Sequence, residues 1–387
     1  MAPTDRTYDV VLLGATGFTG ALTAAQLVAR APDLSRIALA GRNRGKLEGV
    51  RDRLAQTDPR AADLELLQAD VTDASSLRQL AESTTVVATT VGPYNHHGEP
   101  LVAACAAAGT SYVDLTGEPE FVDRMYVQHH AEAVRTGARI VHACGFDSIP
   151  YDLGALVCVD ALPDGVPLKL QGYVRAGGTA SAGTFHSAVT QFGRLRDAGA
   201  VHKQRRGVEP RPEGRRVRTE GKLHRHAGKF ALPLPTVDPQ VVRHSAEVLE
   251  RYGPEFTYGH YALVKSPVVA GVAPVALGGL VAAAQVKPVR ELILGRMSSG
   301  QGPTDEQRAK GWFDVRIVGE GGGRTVEVKV AGGDPGYTET ARMFSEAALC
   351  LALDDNPPSA GSVTTAIAMG DHLVARLREI GMTLEVL

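Results

Sequence analysis

Gly14-Ala15-Thr16-Gly17-Phe18-Thr19-Gly20 spaces three glycines as G-x-x-G-x-x-G, behind the apolar run 8–13 and ahead of a helix-like stretch at 19–30. Glycine turns are common, but a strand before and a helix after mark a site for a dinucleotide phosphate. Gly14 permits the tight turn, Gly17 lets backbone approach a pyrophosphate, and Gly20 allows close packing of helix on sheet. The anion then lies on backbone N–H groups at the helix N-terminus, with Thr16, Phe18 and Thr19 around it, where the dipole favours negative charge. A second signal ends the next strand: Ala40-Gly41-Arg42-Asn43-Arg44. An NAD site commonly carries Asp or Glu there, accepting from the ribose 2′-OH. No carboxylate stands in this stretch, and the planar fork of Arg42 suits a 2′-phosphate. Arg44 and Lys46 are placed to assist, although cations at a helix start oppose its dipole. The expected cofactor is NADP(H). Asp70-Val71 then falls beside the adenine. Val91-Gly92-Pro93, followed by Tyr94, falls at the nicotinamide end; an ordinary turn explains Gly92-Pro93 equally well.

Six short apolar runs must position these residues: 8–13, 37–40, 64–68, 86–88, 112–115 and 139–142. Amphipathic stretches at 19–30, 44–56, 75–82, 99–108 and 120–136 lie between them. This alternation predicts an α/β domain, a parallel sheet covered on both faces. Six strands complete a doubly wound, Rossmann-type fold. The alternation stops after Gly145. A helix is expected over 148–162, then strands at 168–175, 312–319 and 325–331, the last two joined by Glu320-Gly321-Gly322-Gly323. Helical patterns at 338–353 and 364–380 flank the breaker Asn356-Pro357-Pro358. The expected organisation is a Rossmann-type domain over 1–147 and an α+β substrate domain over 148–355, including the hydrophobic segment 266–286. A C-terminal helix follows within 356–387, and the sequence leaves open whether it packs back on the first domain.

At 387 residues the chain is long for one core, and 44% hydrophobic with 22% charged residues describes a globular protein. Its net charge of −2 points to no partner by itself. The four cysteines lack C-x-x-C spacing and are expected to be reduced and buried. The N-terminus has no basic region followed by an apolar one, so a cytoplasmic protein is expected. No metal is expected: His96-His97 and His129-His130 are adjacent pairs with no supporting carboxylate spacing.

The motifs, taken in order, resemble the saccharopine dehydrogenase-like oxidoreductases, and within them the actinobacterial trans-acting enoyl reductases. The resemblance rests on residues 14–20, Ala40-Gly41-Arg42, Val91-Gly92-Pro93-Tyr94 and the stretch 112–118. Further on it rests on Cys144-Gly145-Phe146-Asp147-Ser148-Ile149-Pro150, residues 178–184, Asp334-Pro335-Gly336-Tyr337 and Ala368-Met369-Gly370. At 178–184 this chain departs from the family's usual S-G-G-T by carrying Ala182. The resemblance implies a Rossmann-type domain plus an α+β domain, NADPH as hydride donor, and saturation of double bonds in acyl chains made by polyketide synthases. Such chemistry needs hydride at the β-carbon, a donor to the enolate oxygen and a proton for the α-carbon. Tyr94 and Tyr151 are candidate donors, and Asp147 is a candidate proton relay. Asp114 and Glu118 are further candidates. Each also reads as a structural hydrogen bond or cap, Asp147 as a cap for the helix that follows.

Tyr261-Ala262-Leu263-Val264-Lys265 spells Y-x-x-x-K, but it lies far beyond the first domain and beside Pro267. Residues 203–229 hold ten Lys/Arg against three Glu, a basic arm that suits an acidic carrier-protein domain, an anionic membrane or plain solvation. Nucleic acid is not expected, because base-stacking aromatics are missing from it. Residues 266–286 carry no charged side chain. They read as a bilayer span, a membrane-contacting element, or the apolar lining of a lipid cavity or core. The expected function is an NADPH-dependent reductase of a long acyl or polyketide chain, with peripheral contact at the plasma membrane as an extension. The alternatives are a C=N reductase of an amino-acid-like substrate and a non-catalytic NADP-binding protein at a lipid surface.

Overall fold

The computed structural model describes residues 6–178, 189–295 and 302–387. The chain forms two compact units. The first comprises Met1–Thr116, Phe121–Phe146 and Tyr337–Glu379; the second comprises Gly117–Glu120, Asp147–Gly336 and Ile380–Leu387.

Six strands open the first unit: β1 (Tyr8–Leu13), β2 (Ile37–Gly41), β3 (Glu65–Gln68), β4 (Thr84–Thr89), β5 (Ser111–Asp114) and β6 (Arg139–Val141). All pair in parallel, in the order β3-β2-β1-β4-β5-β6, with the short strand Gly361–Val363 added beside β6. That order is the doubly wound one, with its switch point between β1 and β4. Val10, Val11 and Leu12 are wholly buried, as a strand covered on both faces requires.

The sequence reading placed the helix Thr338–Leu353 with the second domain; its contacts group it with the first. It buries Ala341, Phe344 and Ala348 and lies beside helix Phe18–Arg30. Ser345 Oγ donates to the Thr23 carbonyl at 3.2 Å, and Arg30 pairs with Glu346 at 2.6 Å. The helix covers sheet surface that the six βα units leave open. Helix Gly370–Glu379 follows it in the same unit, whereas the terminal strand Thr383–Val386 belongs to the second.

The second unit is a mixed sheet built from β7 (Leu168–Gly177), β8 (Arg216–Glu220), β9 (His224–His226), β10 (Lys229–Pro233), β11 (Glu255–Val264), β12 (Trp312–Gly321) and β13 (Arg324–Gly332). The order is Thr383–Val386, β13, β12, β7, β11, β10, β9, with β8 also on β11. Helix Ile149–Asp160, buried along nearly all its length, packs on β12 and β13.

Residues 203–229 are not a loose arm, although Lys203, Arg211, Arg216, Arg218, Lys222 and Arg225 stay exposed. Helix Leu195–Val208 and β8 to β10 absorb them. Arg205 is 2% exposed and pairs with Glu209 at 2.6 Å; Arg206 reaches Glu247 at 2.8 Å; Arg215 donates to the carbonyls of Gly253, Ala246 and Leu249. A cation run that builds its own ion pairs and carbonyl caps leaves fewer charges for a partner. Tyr261 lies on β11, not a helix, and its ring stacks on Tyr173 at 5.7 Å, so the Y-x-x-x-K spacing has no helical geometry behind it. Segment 266–286 is the helix Pro267–Gln285, with only Ala270 and Ala284 buried, which excludes the core reading. All four cysteines are buried free thiols.

Candidate functional site

In the first unit the glycine turn closes tightly: Gly14 N–H donates to the Ala40 carbonyl at 2.9 Å and Gly17 N–H to the Gly14 carbonyl at 3.0 Å. Gly14 has φ +93, and a Cβ there would meet Thr90 Oγ1 at 2.7 Å. A Cβ on Gly20 would sit 2.1 Å from the Gly14 carbonyl oxygen. Both positions exclude any side chain, and so shape a bare backbone cradle. Helix Phe18–Arg30 starts at Gly17 with no side-chain cap and no acid in its first turn. Its positive dipole end is presented to the cradle, which fits a pyrophosphate. Thr16 is exposed at the turn, Thr19 is half-buried, and the Phe18 ring meets Tyr337 edge-on at 5.0 Å.

The three cations after β2 differ in what they touch. Arg44 donates to the Leu66 carbonyl at 3.2 Å and pairs with Glu48 at 3.4 Å. Arg42 and Lys46 are exposed and make no side-chain hydrogen bond among the described residues, while Asn43 caps the helix through Lys46 N–H. Arg42 is thus the fork available for a 2′-phosphate, with Lys46 beside it. Asp70 forms a turn with Thr72, whose N–H and hydroxyl hydrogen bonds, helped by the Arg42 charge, hold its carboxyl below the usual range. Val71 and Val91 are half-buried; Gly92 is exposed and joined to Pro93 by a cis peptide.

Tyr94 is 6% exposed, with its hydroxyl donating to the Thr89 carbonyl at 3.1 Å and accepting from Leu115 N–H at 3.2 Å. Those bonds tie the β4 and β5 loops together, a positioning duty for the residue expected to donate to substrate. Asp114 is likewise structural. Fully buried, it accepts from Tyr112, Thr116 N–H and Ala143 N–H and lies 2.7 Å from His142 Nδ1, binding β5 to β6.

In the second unit Asp147 and Tyr151 flank the start of helix Ile149–Asp160. The helix begins at Ser148 without a side-chain cap, so Asp147 is not spent as one. Asp147 is half-buried, and burial pushes its carboxyl up to about 6. Close approach is possible because Gly117 faces it: a Cβ there would lie 3.0 Å from Asp147 Oδ2. Gln191 and Arg194 anchor that loop, Gln191 to the Gly117 carbonyl at 2.7 Å and Arg194 to Glu120 at 2.6 Å. Glu118, on the same loop, is buried.

The fold adds two residues to this group that the sequence reading missed. Asp238, first residue of helix Asp238–Val248, is 3% exposed; its carboxyl accepts a hydrogen bond from the Thr236 side chain, but Oδ1 has no partner among the described residues. Burial, then the Asp147 charge, push its carboxyl well above the ordinary range. His260 on β11 lies 3.6 Å from Asp238 Oδ2 and 3.3 Å from the Tyr258 hydroxyl. Burial pushes its imidazole down to about 3, so it is neutral and gives Asp238 no counter-charge. Tyr151 packs edge-on against His260 at 4.6 Å, and burial raises its hydroxyl well above the usual range. Burial therefore favours the protonated form of all three groups, Asp147, Asp238 and Tyr151. No sequence signal marked it, since Asp238-Pro239 reads as a helix start and His260 as one residue of a strand.

Glu209, His244 and Glu247 bring ligand-type atoms within 4.8 Å of one another. Arg205, Arg206 and Arg243 already hold those carboxylates, at 2.6, 2.8 and 3.0 Å. Burial raises the Glu209 carboxyl, but the His244 hydrogen bond and the Arg205 charge outweigh it and keep it far below the ordinary value. Three guanidiniums disfavour a further cation, so the cluster is an internal ion network. Residues 179–184 of the expected 178–184 motif lie outside the described residues.

Residues 10–141 match the family model described as the saccharopine dehydrogenase NADP binding domain. A Mycobacterium bovis trans-acting enoyl reductase is 35% identical over 99% of this chain and 99% of its own. The Mycobacterium ulcerans trans-acting enoyl reductase is 34% identical over 99% and 98%. A solved saccharopine dehydrogenase (L-Glu forming) from Saccharomyces cerevisiae superposes with TM-score 0.56 at 15% identity, covering 98% of this chain and 99% of that one, and so shares the fold. With its NADP-binding turn, its two-unit architecture and this full-length similarity, the chain belongs to the trans-acting enoyl reductase family of saccharopine dehydrogenase-like, NADP-dependent oxidoreductases.

Proposed function

We propose that this protein saturates the C=C bond of an α,β-unsaturated thioester on a long acyl or polyketide chain. The observation that carries the reading is the cluster of the second unit in which Tyr151 packs edge-on on a neutral His260, His260 lies 3.6 Å from Asp238, and burial favours the protonated forms of Asp147, Asp238 and Tyr151. NADPH supplies the hydride. Addition at the β-carbon breaks the π bond and moves its electrons toward the thioester oxygen, so the protein must supply a donor and a proton. Tyr151 is suited to donate to the enolate oxygen. Asp147, titrating near 6, is suited to protonate the α-carbon, and Asp238 to restore that proton.

An imine reductase of amino acids needs cations for substrate carboxylates. The buried Arg205 and Arg243 of the second unit are instead committed to Glu209 and Glu247. For a carrier-protein partner, the exposed Lys203, Arg211, Arg218 and Lys222 offer the complementary charge. The proposed setting is the cytoplasm, where a carrier-bound thioester would be met. Steady-state NADPH oxidation with a panel of enoyl thioesters and imines tests the reading. Turnover of an imine, with none for any enoyl thioester, would overturn it.

A further inference from the structure

A surface helix ordinarily turns an apolar face to the protein and a polar one to water. Helix Pro267–Gln285 does not. Its less exposed side carries Ala270, Ala273, Leu277, Leu280 and Ala284, and the opposite side is just as apolar. On that outer side Val268, Val272 and Val275 are 69%, 58% and 75% exposed. No charged side chain occurs between Lys265 and Lys287. Pro274 inside the helix and glycines at 271, 278 and 279 also make it a poor helix former in water. Its backbone hydrogen bonds are best kept where water cannot compete for them.

The ends of the helix indicate what covers it. Lys265 and Lys287 flank it and both are exposed; among the described residues Lys287 has only a distant ion pair, to Glu291 at 3.9 Å. The next helix, Lys287–Gly295, exposes Val289 and Leu292. Both ends of Pro267–Gln285 are fastened within the second unit. β11 runs directly into it, Gln285 donates to the Phe192 carbonyl, and Arg290, just past the helix, donates to the Gly193 carbonyl at 3.5 Å. With both ends on one body, the helix lies along a surface instead of crossing it. A featureless apolar face without polar atoms to set a register, bounded by lysines at both ends, matches acyl chains bordered by lipid phosphates.

We propose that Pro267–Gln285 and Lys287–Gly295 form a docking surface for an anionic lipid bilayer. The Val268, Val272 and Val275 side enters the acyl region, and Lys265 and Lys287 sit among the phosphates. The test is flotation of the full chain with vesicles of phosphatidylcholine, with and without phosphatidylserine. Val272→Asp with Val275→Asp, both outward-facing, should keep the thermal melt unchanged and weaken binding by about tenfold or more. Lys265→Glu with Lys287→Glu should weaken binding to anionic vesicles and leave the weak binding to neutral ones unchanged. The proposal is overturned if the wild type floats with neither vesicle, or if the double aspartate variant binds as well as the wild type. A self-association in solution that the same variant abolishes would likewise overturn it, by assigning the face to a second copy. Turnover of a short, water-soluble enoyl thioester is read separately, so this surface and the proposed activity stand or fall apart.

Discussion

Replacing Arg42 tests the link from one residue to cofactor choice. Arg42 is exposed and makes no side-chain hydrogen bond among the described residues, so its loss removes little from the fold. Its charge helps to lower the nearby Asp70 carboxyl. A guanidinium and a 2′-phosphate about 4 Å apart attract by about 1 kcal/mol in bulk water and about 4 kcal/mol at an effective dielectric of about 20. An exposed site lies between these limits, and a charge-assisted hydrogen bond is worth about 1.5–3 kcal/mol. Arg42→Ala should therefore cost NADPH about 2–3 kcal/mol, roughly 30- to 150-fold in Kd. NADH lacks the phosphate and should change by less than about threefold. Arg42→Asp should widen the gap, since it adds repulsion. Calorimetric titration of the apoprotein with each nucleotide measures both numbers, and raising the salt should shrink the NADPH difference. Equal losses for the two nucleotides would refute the reasoning and move the phosphate to another cation; Lys46→Ala would then be the variant to measure.

Gly20→Ala drives a Cβ to 2.1 Å from backbone; unfolding should become easier by more than about 2 kcal/mol, with NADPH binding lost, and thermal melts check it. Asp147→Asn should slow the chemical step by about 100-fold or more with little change in KM, and abolish the decline in wild-type activity as pH rises through about 6. Its stability follows the same proton. The folded state keeps that proton to higher pH than the unfolded chain, so Asp147's contribution to stability is lost as pH rises from the ordinary Asp range through about 6. Urea titrations should show the Asn variant gaining on wild type across that window, and parallel curves would remove the buried-proton argument. Glu209→Gln leaves Arg205 and Arg243 short of a partner and should cost about 3 kcal/mol at neutral pH. Because its folded carboxyl is held low, wild-type Glu209 stabilises fully above the ordinary Glu range and loses this only in strong acid. The variant should lack that acid limb in denaturation curves.

Local pattern was enough for the first unit. Strand pitch, the spacing of Gly14, Gly17 and Gly20, and the Arg42 that replaces an acid are all encoded within about forty residues of chain. Neighbouring residues in a βα turn are neighbours in space, so their spacing carries their geometry. The motif order carried the family in the same way. Long-range packing escaped the sequence. The helix Thr338–Leu353 returns from the far end of the chain to the first unit, because a parallel sheet needs cover on both faces and hydrophobic pattern does not name the surface it covers.

The charged stretch 203–229 shows the same limit. Its composition suggested a partner, but whether a cation faces solvent or Glu209 depends on helix Asp238–Val248 arriving beside it. Segment 266–286 was plainly apolar, yet only the fold decided that its outer face is uncovered. Asp238 and His260 are the sharpest case. Each is an ordinary residue in its own element, and burial next to Asp147 and Tyr151 changes what proton each carries. The sequence by itself determined the cofactor turn, the choice of NADP and the fold class, because those depend on local spacing. Tertiary structure alone decided the proton-holding cluster and the exposed helix, because desolvation is set by whatever packs around a group, not by its neighbours in the chain.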